Sequence, residues 1–95
     1  MIDIRENNGI CSITINEDWN WVVSKKLEQI DPQFNQMCIS LSHCRLMDSE
    51  SLILLFKWIS EGKQIELIDT PDIFFEMIDI LDLNEALSKI NHSYS

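Results

Sequence analysis

Two apolar strands around one apolar helix constrain this chain more than any other feature. Met37-Cys38-Ile39-Ser40-Leu41 comes first, and Gln64-Ile65-Glu66-Leu67-Ile68 follows Gly62. Between them Asp48-Ser49-Glu50-Ser51 opens a helix that the apolar spacing predicts over residues 49–61. A strand–helix–strand run of this length is a βαβ unit, which implies parallel strands and a right-handed crossover. Gly62 stands just past the last turn, where a left-handed residue ends a helix. The opening places a serine hydroxyl at a helix N-terminus, where free N–H groups and the macrodipole favour a phosphate or a carboxylate. Function is therefore expected at this loop and along this helix.

The rest of the chain extends that unit. Ile2-Asp3-Ile4 alternates, Asn7-Asn8-Gly9 signals a turn, and residues 10–15 put Cys11, Ile13 and Ile15 on one face. These segments predict an N-terminal hairpin. Trp19, Val22, Val23, Leu27 and Ile30 predict a helix over residues 19–30, stopped by Asp31-Pro32. Trp21 falls off that stripe. Thr70 reads as the N-cap of a third helix running to about Leu81, with Pro71 at its first position. Residues 84–90 read as a short helix or an extended tail, and residues 91–95 as a frayed end. The fold class is α/β: one domain over residues 1–95, a mixed sheet with parallel βαβ units, an N-terminal hairpin and flanking helices. One sheet face should be covered more fully than the other.

A chain of 95 residues, 45% hydrophobic, can build one core without metal or disulfide staples. Its formal net charge of -9 argues against DNA or RNA and against an anionic membrane, because both need clustered Lys and Arg. A basic protein surface remains compatible. The cysteines are Cys11, Cys38 and Cys44, an odd number, which reads as buried free thiols in a reducing compartment. The longest apolar run, Leu52 to Phe56, is far short of the ~18 residues of a membrane span, and the N-terminus lacks a signal-peptide pattern. A cytoplasmic protein without membrane insertion is the expectation.

Enzymatic signals are weak. His43 and Cys44 are adjacent and the other histidine is His92, so no metal-ligand spacing exists and neither metal nor cofactor is expected. Ser49, His43 and Asp48 could be assembled into a triad on paper. The Gly-x-Ser-x-Gly elbow is absent, however, as are the Gly-rich nucleotide fingerprints. A small serine hydrolase is the least favoured reading, and no catalytic residue is assigned.

The helix over residues 49–61 is more informative. At about 100° per residue, Leu52, Leu55, Phe56 and Ile59 form a core stripe, with Lys57, Ser60 and Glu61 opposite. Leu54 and Trp58 fall outside the stripe, one turn apart. They are either a widened core contact beneath a neighbouring element or a docking patch, since Trp is enriched in interface hot spots. Phe75 on the third helix is a similar case.

The order hairpin, helix, strand, Asp-Ser loop, helix, strand, helix resembles the STAS domain (sulfate transporter and anti-sigma factor antagonist) over roughly residues 2–88. Residues 39–52 carry the resemblance most specifically: an apolar strand, a short loop, then Asp48-Ser49 leading into an apolar helix. Gly62, Ile65-Glu66-Leu67, Pro71, Phe74 and Leu81 continue it. Glu50 and Ser51 stand where the family usually has a small residue and Gly. The resemblance implies a bacterial, non-catalytic, partner-switching module, with an anti-sigma factor kinase as partner and Ser49 as the phosphorylated serine. Asp48, Ser49, Glu50, Ser51, Leu54 and Trp58 are the candidate partner contacts, although Ser49 or Asp48 could equally be a helix cap. A second branch, the STAS subunits and domains of phospholipid-trafficking ABC transporters, is similar at Glu17-Asp18-Trp19 and implies docking on an ATPase through Ser49 to Trp58. Homodimerisation stays open.

Overall fold

Asn8 and Gly9 both adopt positive φ (53° and 80°), the geometry that a two-residue hairpin turn needs. They join strand β1 (Ile2–Asn7) to strand β2 (Ile10–Ile15) in an antiparallel ladder running from Ile2 opposite Ile15 to Asn7 opposite Ile10. The chain then repeats one move. Helix α1 (Trp21–Gln29) leads to β3 (Gln36–Ser40), α2 (Ser49–Ser60) to β4 (Gln64–Ile68), and α3 (Asp72–Ile80) to β5 (Asn91–Ser93). The strands lie side by side in chain order, and β2 through β5 are parallel. The computed structural model describes residues 2–29 and 34–95.

Register puts the apolar side chains on one face. Cys11, Met37 and Ile65 are aligned across β2, β3 and β4, as are Ile13, Ile39 and Leu67, and all six are buried. Val23, Leu27, Leu52, Leu55, Phe74 and Ile78 of the three helices belong to the same core. The other face carries Ser12, Thr14, Cys38, Ser40 and Glu66, and is partly or fully exposed. Cys38, expected to be buried, points to this open side.

Several expectations need correction. Helix α1 begins at Trp21, two residues late, because Asn20 Oδ1 accepts from Val23 N (3.1 Å) and caps the helix. Its buried face is Val23, Ser24 and Leu27, so Val22 is exposed, whereas Trp21 is exposed as its place off the stripe predicts. Ile30 and the Asp31-Pro32 stop lie outside the described residues. Thr70 does not cap α3. Pro71 occupies that position, and the Thr70 hydroxyl lies 3.0 Å from His92 Nδ1. Residues 84–89 form turns rather than a regular helix. The expected frayed end is instead strand β5. His92 pairs opposite Leu67 and packs against both Phe74 and Phe75, at 5.5 and 5.0 Å between ring centres.

Candidate functional site

Parallel α/β sheets offer their crevice at the carboxyl ends of the strands, and residues 41–48 lie there, between β3 and α2. The first turn of α2 is built by its neighbours in sequence. Asp48 is the N-cap, in an extended conformation, and its Oδ1 accepts from Ser51 N (3.2 Å). Ser51 returns the bond through its hydroxyl to the Asp48 carbonyl (2.6 Å) and is itself fully buried. Ser49, the first helical residue, is therefore free of the capping role and exposed.

The loop before the cap is held by a short ladder to residues 18–19. Trp19 N donates to the Leu46 carbonyl (2.9 Å) and Asp48 N donates to the Trp19 carbonyl (3.1 Å), so Trp19 and Met47 form a parallel bridge. Asp18 Oδ1 accepts from Leu46 N (3.3 Å). Trp19 is fully buried, with its indole N–H on Ser24 Oγ (2.9 Å). This ladder holds Leu46 out in solvent, 59% exposed.

Helix α2 turns a different face outward than its apolar spacing suggests. Leu54 and Trp58, named as candidate contacts, are each only 2% exposed and lie in the core. Ser51, also named, is buried beside them. The exposed apolar residues are Ile53 (58%) and Phe56 (46%). At about 100° per residue, Ser49, Ile53, Phe56 and Ser60 share one face. The buried arc is Ser51, Leu52, Leu54, Leu55 and Trp58. A stripe drawn through apolar residues alone omits the small Ser51, which is fully buried. Asp48 and Glu50 are half-buried.

Other groups in the vicinity do not assemble a catalytic set. Among the described residues no hydrogen bond joins His43 to Ser49 or Asp48, and His43 is exposed. Asp69, at positive φ (56°), accepts from the hydroxyls of Ser42 (2.7 Å) and Ser95 (2.6 Å) and from Ser95 N (2.9 Å). Those bonds hold its carboxyl below the usual range. The effect is to tie the chain after β5 to the loop after β3. A depression of about 390 Å³ is lined by Asp18, Trp19, Asn20, Leu46, Met47, Asp48, Ile73 and Met77. A larger one of about 820 Å³ lies at the opposite, amino end of β3 and β4, among Glu6, Gln36 and Gln64. Among the described residues no helix is long and apolar enough to cross a membrane.

No protein-family model matches the chain, and no curated protein matches it. Solved structures do. The crystal structure of a proposed anti-sigma factor antagonist from Thermotoga maritima matches with a TM-score of 0.65 and 15% identity, over 99% of this chain and 86% of that one. An NMR structure of the same protein gives 0.64 and 15%, over 98% and 82%. A sulfate transporter family protein from Wolinella succinogenes gives 0.65 and 14%, over 92% and 80%. A five-stranded sheet with one antiparallel hairpin, parallel strands beyond it and three crossover helices gives this chain the STAS-like fold.

Proposed function

We propose that this chain is a non-catalytic STAS-family regulatory module that docks on a protein partner through the start of α2. The observation that carries the reading is one exposed face: Ser49, Ile53 and Phe56 in line on α2, with Leu46 exposed in the loop that precedes the helix. Exposed large apolar side chains grouped on one helix face mark interaction sites. Ser49 is the switch. Its hydroxyl is accessible and uncommitted to the cap, and Asp48 and Glu50 flank it. A phosphate there adds roughly -1.5 to -2 charge, enough to repel an acidic partner group or to demand a basic one. Single-domain organisation over the whole chain belongs to the same reading.

Incubation with a serine-kinase anti-sigma factor and ATP should add one phosphate, and Ser49→Ala should take none. No incorporation removes the switch. Ile53→Asp should abolish the complex with that partner, and retained binding removes the docking face.

A second reading, docking on the ATPase of a lipid-transport ABC system, draws support from the bonding of Asp18 and Trp19 to Leu46 and Asp48. It uses the same apolar face and needs no phosphate. Phosphate-independent binding of such an ATPase, lost in Ile53→Asp, would favour it.

A further inference from the structure

The depression beside Ser49 has a chemistry of its own. Its walls are Leu46 and Met47 from the loop, and Ile73 and Met77, one turn apart on α3 and both half-buried. Its floor is the buried Trp19. Methionines in such a lining adapt to the shape of what enters. At about 390 Å³ the notch has room for one large apolar side chain. Two carboxylates stand at its rim. Asp18 uses Oδ1 for Leu46 N and Asp48 uses Oδ1 for Ser51 N. Among the described residues neither second oxygen has a partner. A notch that is apolar within and carries two half-used carboxylates at its edge is complementary to an apolar group with a cation next to it. The net charge of -9 steers the same class of partner toward the molecule.

We infer that this notch receives a partner protein's anchor side chain, Leu, Met or Phe, with a Lys or Arg beside it on the same segment. The inference rests on the docking reading above and adds the partner's chemistry. The notch includes Asp48, the residue before Ser49, so one segment could fill the notch and continue along the start of α2. The ladder between residues 18–19 and 46–48 gives Trp19 a positioning role, since it fixes both the floor and the exposed wall.

A random twelve-residue peptide library selected on the immobilised chain tests this, with binding of the enriched peptides measured by fluorescence anisotropy. Enriched peptides should share an apolar residue flanked by Lys or Arg. Asp18→Asn with Asp48→Asn keeps both hydrogen-bond acceptors and removes both charges, and should weaken binding by roughly 3- to 10-fold. Met77→Ala should weaken it by roughly 10-fold or more. Leu46→Ser, at a largely exposed position that folding does not need, should act in the same direction. Peptides without a basic residue, or no enrichment, overturn the inference. Binding that Ile53→Asp abolishes and that Met77→Ala and Leu46→Ser leave intact also overturns it, while leaving the α2 docking face standing. Binding that depends on Met77 and Leu46 but not on Ile53 sinks the docking face instead.

Discussion

Asp48 and Ser49 are adjacent, and either could have capped α2; the backbone gives the task to Asp48. Its carboxylate, not the serine hydroxyl, meets the free N–H of Ser51. Removing that acceptor in Asp48→Ala should cost about 1 kcal/mol in urea denaturation, whereas Asp48→Asn should cost little. Ser49→Ala removes no hydrogen bond that supports the fold, so its stability should stay within about 0.5 kcal/mol of the parent. Loss of partner binding or phosphorylation in that variant would then report on function alone. The presence of a helix start at this point was legible from the acid–hydroxyl pair ahead of an apolar run. Which residue capped it was not, because that depends on the φ and ψ of one residue.

Elements whose boundaries were legible still hid their phase. Gly62, at φ 89°, marks the end of α2, but the apolar residues alone do not give its buried face. The buried Ser51 moves the inward arc toward Leu54 and Trp58 and releases Phe56. Trp58→Ala should therefore cost about 3–5 kcal/mol, the range for a large aromatic removed from a core. Phe56→Ala should change stability little and affect partner binding instead. Chemical denaturation of the two variants separates these outcomes. Strand β5 was not legible at all: Asn91-His92-Ser93 has no apolar alternation, and its order comes from β4, Phe74, Phe75 and Asp69. Burial alone pulls the His92 imidazole below its ordinary value, with no charged neighbour contributing. The folded state therefore binds this proton less readily than the unfolded chain. The strand's stability is full above the ordinary value of about 6.5. It falls as pH drops through that value toward the lower folded one, then levels off. Hydrogen exchange at residues 91–93, corrected for intrinsic rates, should lose protection between pH 7.5 and 5. His92→Phe should flatten that dependence.

At the scale of the molecule, one repeated connection decides what is inside. The strands advance in chain order and every buried strand position faces the same way, so the helices cover one side of the sheet and leave the other to solvent. Strand alternation made the existence of a better-covered face legible, and the βαβ pattern made the parallel pairing legible. Alternation also places Cys11 with Ile13 and Ile15 and sets Cys38 with Ser40 on the face opposite Met37 and Ile39, so it was the general expectation of buried thiols, not the strand pattern, that put Cys38 inside. In the structure Ser12, not Cys11, lies opposite Cys38. Cys11 thus points into the core with Met37, Cys44 is buried within the loop after β3, and Cys38 looks outward beside Glu66, Sγ to Oε1 3.5 Å. Partial burial first, then the Glu66 carboxylate, raise the Cys38 thiol, so it is accessible but a sluggish nucleophile. Titration of the native protein with a disulfide reagent at pH 8 should modify one thiol, more slowly than a free cysteine. Denaturant should release the other two, and Cys38→Ser should abolish the native reaction. Three thiols reacting together without denaturant would mean that the helices do not seal the face assigned to them.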